Sequence, residues 1–357
     1  MLRVKNLALS PHANEKYFYF MDSQNGGEIH EHQSGGGAYL HERHHRRCCI
    51  RLRNAFRVAA AEVLGNRNPS SGRAFRAFQP CVLDRMEHSD GFRVQGEMRG
   101  KVDVRWDDES VLPQEFPVDV EYLWRRMTEE TLNKARGKLV LDVGCGRAKD
   151  LTEVVKECSD VVGVGVEPSE VMLRKAKNHI FGVNDRLHLV YGIAESLPFK
   201  DASFDRVVCK GAIDHFYDPE AAISEMARVV RCGGKVIISV ANFESLSCKL
   251  GRWVHSIKSF FRKDAKDGQH FWEIPPDHVT KFDYHVLKRM CAPHLAITTC
   301  VGVCLLTYNS LWRSLLERLP QRASLFLLRL LDRAARMLPS LSDVIVVEAS
   351  RHRPPRS

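Results

Sequence analysis

The spacing of apolar positions changes several times along the chain, and each change marks an element. From Val118 to Ala135, Leu123, Met127 and Leu132 recur near one face, which predicts a helix. Lys138 to Val143 is a short apolar run ending in glycines, the pattern of a strand buried on both faces. Helix is expected over Lys149 to Cys158, strand over Asp160 to Val166, and helix over Ser169 to Asn178 with Pro168 at its entry. Leu187 to Tyr191 and Phe204 to Cys209 read as the third and fourth strands. Pro219 to Val230 carries Ala222, Ile223, Met226 and Val229 at helical spacing. Gly233 and Gly234 are expected to stop that helix, and Lys235 to Val240 to form a fifth strand. Repeated strand–helix units at this spacing imply a parallel sheet covered by helices on both faces.

Beyond Asn242 the alternation lapses. A basic, insertion-like region with Trp253, Phe260, Phe261 and Trp272 runs to about Thr280. Asp283 to Cys291 is read as helix, and Ala296 to Leu305 and Asp343 to Ala349 as closing strands. Between those strands lies a Leu- and Arg-rich helical stretch from Asn309 to Met337, which Pro320 should break or kink. At the other end, residues 1–97 show little sustained period. They include a Gly/Ser/His-rich stretch over 23–37, a basic run from Arg43 to Arg53, and one amphipathic helix candidate from Ile50 to Leu64. This part is read as an irregular basic arm, with Met86 or Met98 as alternative starts. The expected organisation is therefore an arm over 1–97, one domain over 98–350 and a tail over 351–357. Within the domain, 118–135 is a helical lead-in, 138–242 a core, and 243–350 a lid with C-terminal helices.

Composition changes this picture little. Of 357 residues, 44% are hydrophobic and 27% charged, which excludes a wholly disordered chain and leaves material for one large core. No apolar run approaches the ~20 residues needed to span a bilayer, and the N-terminus lacks the apolar stretch of a secretory signal. The 11 cysteines form no C-x-x-C pair and are expected as free thiols in a cytoplasmic protein. The net charge of +9 is unevenly spread: +4 over 1–97, −3 over 98–240 and +8 over 241–357. The basic excess thus flanks an acidic middle, so it bears on an acceptor or docking surface.

The chemistry concentrates in that middle. Residues 139–149 read LVLDVGCGRAK: a strand ending in Asp142, then Gly144, Cys145 and Gly146 turning into a helix. The glycines permit a tight turn and close approach of a ligand to the backbone. A third glycine of the dinucleotide fingerprint is absent, because Lys149 stands there. A carboxylate two residues before the first glycine would repel a pyrophosphate but suits a sulfonium and an ammonium group. Residues 161–168 read VVGVGVEP, which places Glu167 at the end of the second strand, where it can accept from both hydroxyls of a ribose.

These motifs continue through GIAESLPFKDASFDRV at 192–207, Asp218-Pro219, Glu225 with Arg228, the Cys232 to Lys235 turn and the segment His278 to Leu287. Together they resemble the class I S-adenosylmethionine-dependent methyltransferases, of the small-molecule type that includes quinone-biosynthesis enzymes. The resemblance covers residues ~118–350. It implies a Rossmann-like α/β fold with a mostly parallel seven-stranded sheet, and S-adenosyl-L-methionine as cofactor. By the same resemblance, Gly144, Cys145 and Gly146 hold the methionine moiety with Asp142 near its ammonium, and Glu167 binds the ribose. Pro168 and Ser169 lie beside the adenine, Ala194 and Glu195 flank its edge, and Lys210 and Gly211 face the sulfonium. Ile193 stands where the family often has an acid.

A base is needed only if the acceptor carries a proton. His215, just after the fourth strand, is the candidate general base; the alternative is that it only shapes the pocket. Asp201 and Asp205 read as turn and strand-start residues. His41, His44, His45, Cys48 and Cys49, near His30 and His32, have ligand chemistry, but the spacing fits no familiar metal site and the flanks are basic, so no metal is expected. Arg318, Arg322, Arg329, Arg333 and Arg336 fall near one helix face among leucines and Phe326. This makes 309–338 either a helix pair covering the sheet with its arginines in solvent, or a peripheral membrane contact. The segment Lys249 to Trp272 is either a lid or a surface connection. The expected activity is methylation of a small hydrophobic or phenolic acceptor at oxygen or carbon. An RNA methyltransferase and a non-catalytic cofactor-binding protein are the alternatives, and nucleic acid is not expected as a partner.

Overall fold

The computed structural model describes residue 103 and residues 105–110, 115–180, 182, 183, 185–261 and 270–352. The arm over 1–97, its helix candidate and its His/Cys cluster lie outside the described residues. Within them, seven strands form one sheet in the order β3-β2-β1-β4-β5-β7-β6. The strands are β1 (Leu139–Val143), β2 (Val162–Glu167), β3 (Leu187–Tyr191), β4 (Phe204–Lys210), β5 (Val230–Ala241), β6 (Leu295–Val303) and β7 (Val344–Arg351). The first five are parallel, and β7 runs antiparallel to both β5 and β6. The expected doubly wound sheet is present, and its strand order reverses between β1 and β4.

The helices start where the sequence supplies caps. The lead-in α1 (Val118–Leu132) precedes the sheet, and α2 (Lys149–Glu157) follows β1. In α3 (Glu170–His179) the Ser169 hydroxyl accepts from the Met172 N–H, and in α4 (Pro219–Val229) the Asp218 carboxylate accepts from Ala221. In α6 (Tyr284–Cys291) the Asp283 carboxylate accepts from His285 and Val286. Pro320 divides the C-terminal stretch as expected, into α7 (Ser310–Arg318) and α8 (Gln321–Met337).

Two expectations need correction. Helix α4 ends at Val229, and Gly233 and Gly234 lie inside β5, at a bulge between the Phe204–Val230 and Arg206–Lys235 pairings. Gly233 takes φ +79°, so the glycines turn a strand rather than stop a helix. The region after Asn242 holds a long helix, α5 (Leu246–Phe261). Its inward face carries the small residues Ser247, Cys248 and Gly251, while Trp253, Ile257 and Phe260 are exposed. The hydrophobic pattern is inverted there, which is why periodicity did not reveal it.

Phe204, Val207, Ile223, Met226, Ile238 and Phe282 are buried in the core between one sheet face and α4. On the other face, Tyr122 and Met127 of α1 meet Val140, Leu151 and Ile237. Ion pairs tie α1 to the C-terminal helices: Asp119, fully buried, accepts from Arg313, Arg126 pairs with Asp332, and Arg336 pairs with Glu130. Arg336 is thus engaged with α1, whereas Arg318, Arg322, Arg329 and Arg333 are exposed.

The loop between β3 and β4 is held by one cation. Arg228 donates to the carbonyls of Leu197 and Phe199 and to Glu225 and Asp201, while Glu225 accepts from the Leu197 N–H. Asp205 accepts from the Lys138 and Leu139 N–H groups at the start of β1. Asp201 and Asp205 are therefore structural, as expected. Replacing Arg228 by Met orphans two carbonyls and a half-buried carboxylate. Urea unfolding should show a loss of about 3 kcal/mol or more; an unchanged midpoint would remove this clamp from the account.

Candidate active site

Ligands of open α/β sheets bind beyond the carboxyl ends of the strands, where the strand order reverses. Here that point lies between β1 and β4, and the residues there are acidic. Asp142, on β1, is 8% exposed, and its carboxylate hydrogen-bonds to no described residue. Burial pushes its pKa up to about 7; Asp150 adds to the rise and Lys210 opposes it. Glu167 ends β2 and is also raised to about 7 by burial, against the pull of two backbone donors. Those donors are the N–H groups of Ser169 and Gly146, at 2.9 Å from Oε1 and Oε2. Each oxygen of Glu167 keeps a lone pair for one further donor.

The turn between β1 and α2 is held to β2 as well. The N–H groups of Gly144 and Cys145 donate to the Val166 carbonyl at 2.9 and 3.0 Å. Gly144 takes φ +73°, and a Cβ on it would stand 2.6 Å from the Cβ of Ala212. Only glycine satisfies both constraints, so the turn packs directly against Ala212 with Phe216 beside it. The Cys145 thiol is half-buried, and desolvation raises its pKa well above the ordinary value, which favours the neutral thiol. A buried carboxylate with no hydrogen-bond donor among the described residues, beside a tight glycine turn, fits the cationic methionine end of S-adenosylmethionine, and the fixed carboxylate of Glu167 fits a diol.

Other expected residues take local roles. The Ser169 hydroxyl caps α3 and donates to the Trp106 carbonyl at 2.6 Å, so its side chain is occupied. Pro168 is half-buried next to it. Ala194 is buried after β3, and the buried Glu195 accepts from the Asp218 N–H, tying that loop to the start of α4. Lys210 lies 2.5 Å from Asp150 Oδ2 and donates to Thr128, so its ammonium is tied to α2 and α1 rather than held against a sulfonium. Gly211 follows at φ +59°, its N–H donating to Ser239.

His215 sits on a single 3-10 turn, Ile213–His215, after β4. Its Nδ1 is 3.0 Å from the Asp277 carbonyl oxygen and 3.6 Å from an Asp277 carboxylate oxygen. The Trp106 and His278 rings flank it, with centroids at 5.4 and 4.4 Å. His278 Nδ1 in turn lies 3.3 Å from the carboxylate of Asp214. Burial lowers the His278 pKa, and Asp214 opposes that. Asp214-His215 and Asp277-His278 are thus crossed: each histidine faces the aspartate of the other pair.

Sequence reasoning missed Trp106, Asp214, Asp277 and His278 as site residues. His278 opens the segment His278 to Leu287, but nothing local indicates that it meets His215. Trp106 arrives on a segment whose acids pair across the edge, Asp108 with Arg147, and Asp107 and Glu109 with Lys175.

The chain matches known proteins over this core. Residues 141–238 match the family described as a methyltransferase domain. An O-methyltransferase from Pyrenophora dematioidea is 30% identical over 138 residues, which is 38% of this chain and 50% of that protein. A demethylmenaquinone methyltransferase from Oceanobacillus iheyensis is 33% identical over 117 residues, 32% of this chain and 49% of that protein. The chain therefore spans about half the length of these relatives. Among solved structures, the YcgJ protein from Bacillus subtilis is similar at a TM-score of 0.41 and 20% identity, over 64% of this chain and 100% of that one.

The two raised carboxyls make stability depend on pH with an unusual sign. Unfolded, Asp142 and Glu167 titrate near their ordinary 3.8 and 4.5; folded, both titrate near 7. Between those values the folded chain holds protons that the unfolded chain has lost, so their contribution falls as pH rises towards 7. The melting temperature of the ligand-free protein should drop by several degrees from about pH 5 to 8. Asp142→Asn should flatten that drop by about half; a profile identical to wild type would assign the slope to other groups.

Proposed function

We propose that this chain, whose residues 141–238 match a methyltransferase-domain family, is a class I S-adenosylmethionine-dependent enzyme that methylates an oxygen or carbon of a small hydrophobic or phenolic acceptor. The observation that carries the reading is Asp142: a buried carboxylate at the sheet's carboxyl edge with no hydrogen-bond partner among the described residues. Bound there, S-adenosylmethionine supplies an electrophilic methyl on a sulfonium, open to in-line attack. Asp142 compensates the ammonium of the cofactor, and its own burial cost falls as it does so. Glu167, preset by the Gly146 and Ser169 N–H groups, receives the ribose hydroxyls. The turn from Gly144 to Gly146 borders the methionine end, and Ala194 and Glu195 border the adenine through their main chain.

The acceptor meets the other end of this edge. Phe243 and Trp106 lie against the histidine pair, which supports an apolar or aromatic acceptor over a phosphate-rich one. With the Asp277 carbonyl accepting from Nδ1–H, His215 keeps the Nε2 lone pair and takes the acceptor's proton there. Aligning the two reactants and excluding water are the chain's main contributions to rate. The two relatives described above bear the names of an O-methyltransferase and a demethylmenaquinone methyltransferase, which supports a small acceptor.

The membrane-contact reading also finds support on the surface. No helix among the described residues is long and apolar enough to cross a membrane. On α8, Phe326, Leu330 and Met337 are 65%, 52% and 83% exposed, and Arg322, Arg329 and Arg333 border them. An apolar stripe edged by cations suits the interface of an anionic bilayer, where a lipid-like acceptor resides.

Calorimetry should find S-adenosylmethionine binding that weakens at least tenfold in Asp142→Asn and Glu167→Ala, because a charge-assisted hydrogen bond is worth ~1.5–3 kcal/mol. Binding equal to wild type in both variants would refute the cofactor placement. With radiolabelled cofactor, label should enter lipid extract rather than total RNA, and His215→Ala should lose at least a hundredfold in turnover while keeping cofactor affinity. Label in RNA alone, or near-normal turnover, would overturn the acceptor class or the proton role. In vesicle sedimentation, Phe326→Ser with Arg329→Gln should release the protein from anionic vesicles; no difference from wild type would leave α8 as an ordinary covering helix.

A further inference from the structure

The histidine pair has a feature that methyl transfer does not use. One ligand atom from each of His215, Asp277 and His278 lies within 4.8 Å of the other two, and all three side chains are half-buried. Metal-bound histidines are oriented by an oxygen acceptor on the nitrogen that does not ligate. The Asp277 carbonyl is 3.0 Å from Nδ1 of His215, and the Asp214 carboxylate stands 3.3 Å from Nδ1 of His278 without completing a hydrogen bond. The second oxygen of Asp214 is buried without a hydrogen-bond partner among the described residues, as is His278 Nδ1. Asp214 thus holds unused capacity for an N–H from His278, while the Trp106 indole N–H reaches a carboxylate oxygen of Asp277 at 3.4 Å. Two imidazoles and one carboxylate, with further positions left for solvent, are the donor set of borderline divalent ions, zinc foremost, rather than of magnesium or calcium.

We infer that His215, Asp277 and His278 bind a divalent transition-metal ion of the zinc type, and that the bound ion inhibits methyl transfer by occupying His215. The inhibition, though not the binding, rests on the proposed role of His215 towards the acceptor. An ion at this point takes the lone pair that would receive the proton and stands where the acceptor approaches.

The probe is Co²⁺, titrated into the full-length protein and its variants and read by visible d–d absorption. His41, His44, His45, Cys48 and Cys49 can also take up metal, so the site is read as the difference between wild type and variant. Wild type should show one equivalent of absorption that His278→Ala loses and Asp277→Asn weakens at least tenfold, with Zn²⁺ displacing the signal. S-adenosylmethionine binding by calorimetry serves as the folding control in each variant. Co²⁺ spectra identical in wild type and both folded variants would overturn the site. With acceptor turnover in hand, Zn²⁺ should inhibit wild type competitively with the acceptor, and Asp277→Asn at least tenfold more weakly. Inhibition equal in the two proteins would overturn the inhibitory role. Metal binding without any methyl transfer would instead sink the proposed function and leave the site standing.

Discussion

Asp142 and Glu167 are held out of water at the end of a parallel sheet, and much of the local structure serves to keep them there. Burial raises both to about 7, so each is close to giving up its charge in the folded chain. The two are compensated differently. Glu167 has two backbone donors, Ser169 at the α3 cap and Gly146 in the turn, where Gly144 and Gly146 adopt left-handed backbone angles. Asp142 has none, and its nearest help is Lys210, itself paired with Asp150. A cation arriving at the edge would meet one carboxyl fixed in place and one whose burial is relieved by its arrival.

That edge is completed by segments from outside the β1–β5 core. Trp106 precedes α1, and Asp277 and His278 follow α5. Together they close on the turn after β4. The crossing of Asp214-His215 with Asp277-His278 binds the two segments reciprocally, and the N–H groups of Val279 and Thr280 add hydrogen bonds to the Asp214 carbonyl. Proton transfer and metal ligation would make the same demand on these rings, a fixed imidazole with one free lone pair.

The basic character of the chain resolves into several uses. Arg228 is consumed in clamping the loop after β3, and Arg126, Arg313 and Arg336 in joining α1 to the C-terminal helices. Arg147 and Lys175 hold the acidic segment that precedes α1. What remains exposed on α8 borders an apolar stripe. A paired cation cancels against its acid, so among the described residues the net surplus is carried by exposed groups such as Arg318, Arg322, Arg329 and Arg333.

The amino-acid sequence determined the alternation of strands and helices and the site residues at strand ends. These depend on neighbours a few positions apart: Asp142 before its glycines, Glu167 at the end of an apolar run, Asp218 and Pro219 at a helix start. Periodicity lost α5 because its apolar residues face outward, and it misplaced Gly233 and Gly234 because a strand bulge and a helix stop use the same residue. The tertiary structure alone decided that Ser169 and Lys210 are occupied by Trp106, Asp150 and Thr128, that Arg336 is paired, and that His278 meets His215. Residues 215 and 277 are 62 positions apart. Their contact is fixed by the connection after β5 folding back over the end of β4, a long-range closure that no local spacing encodes.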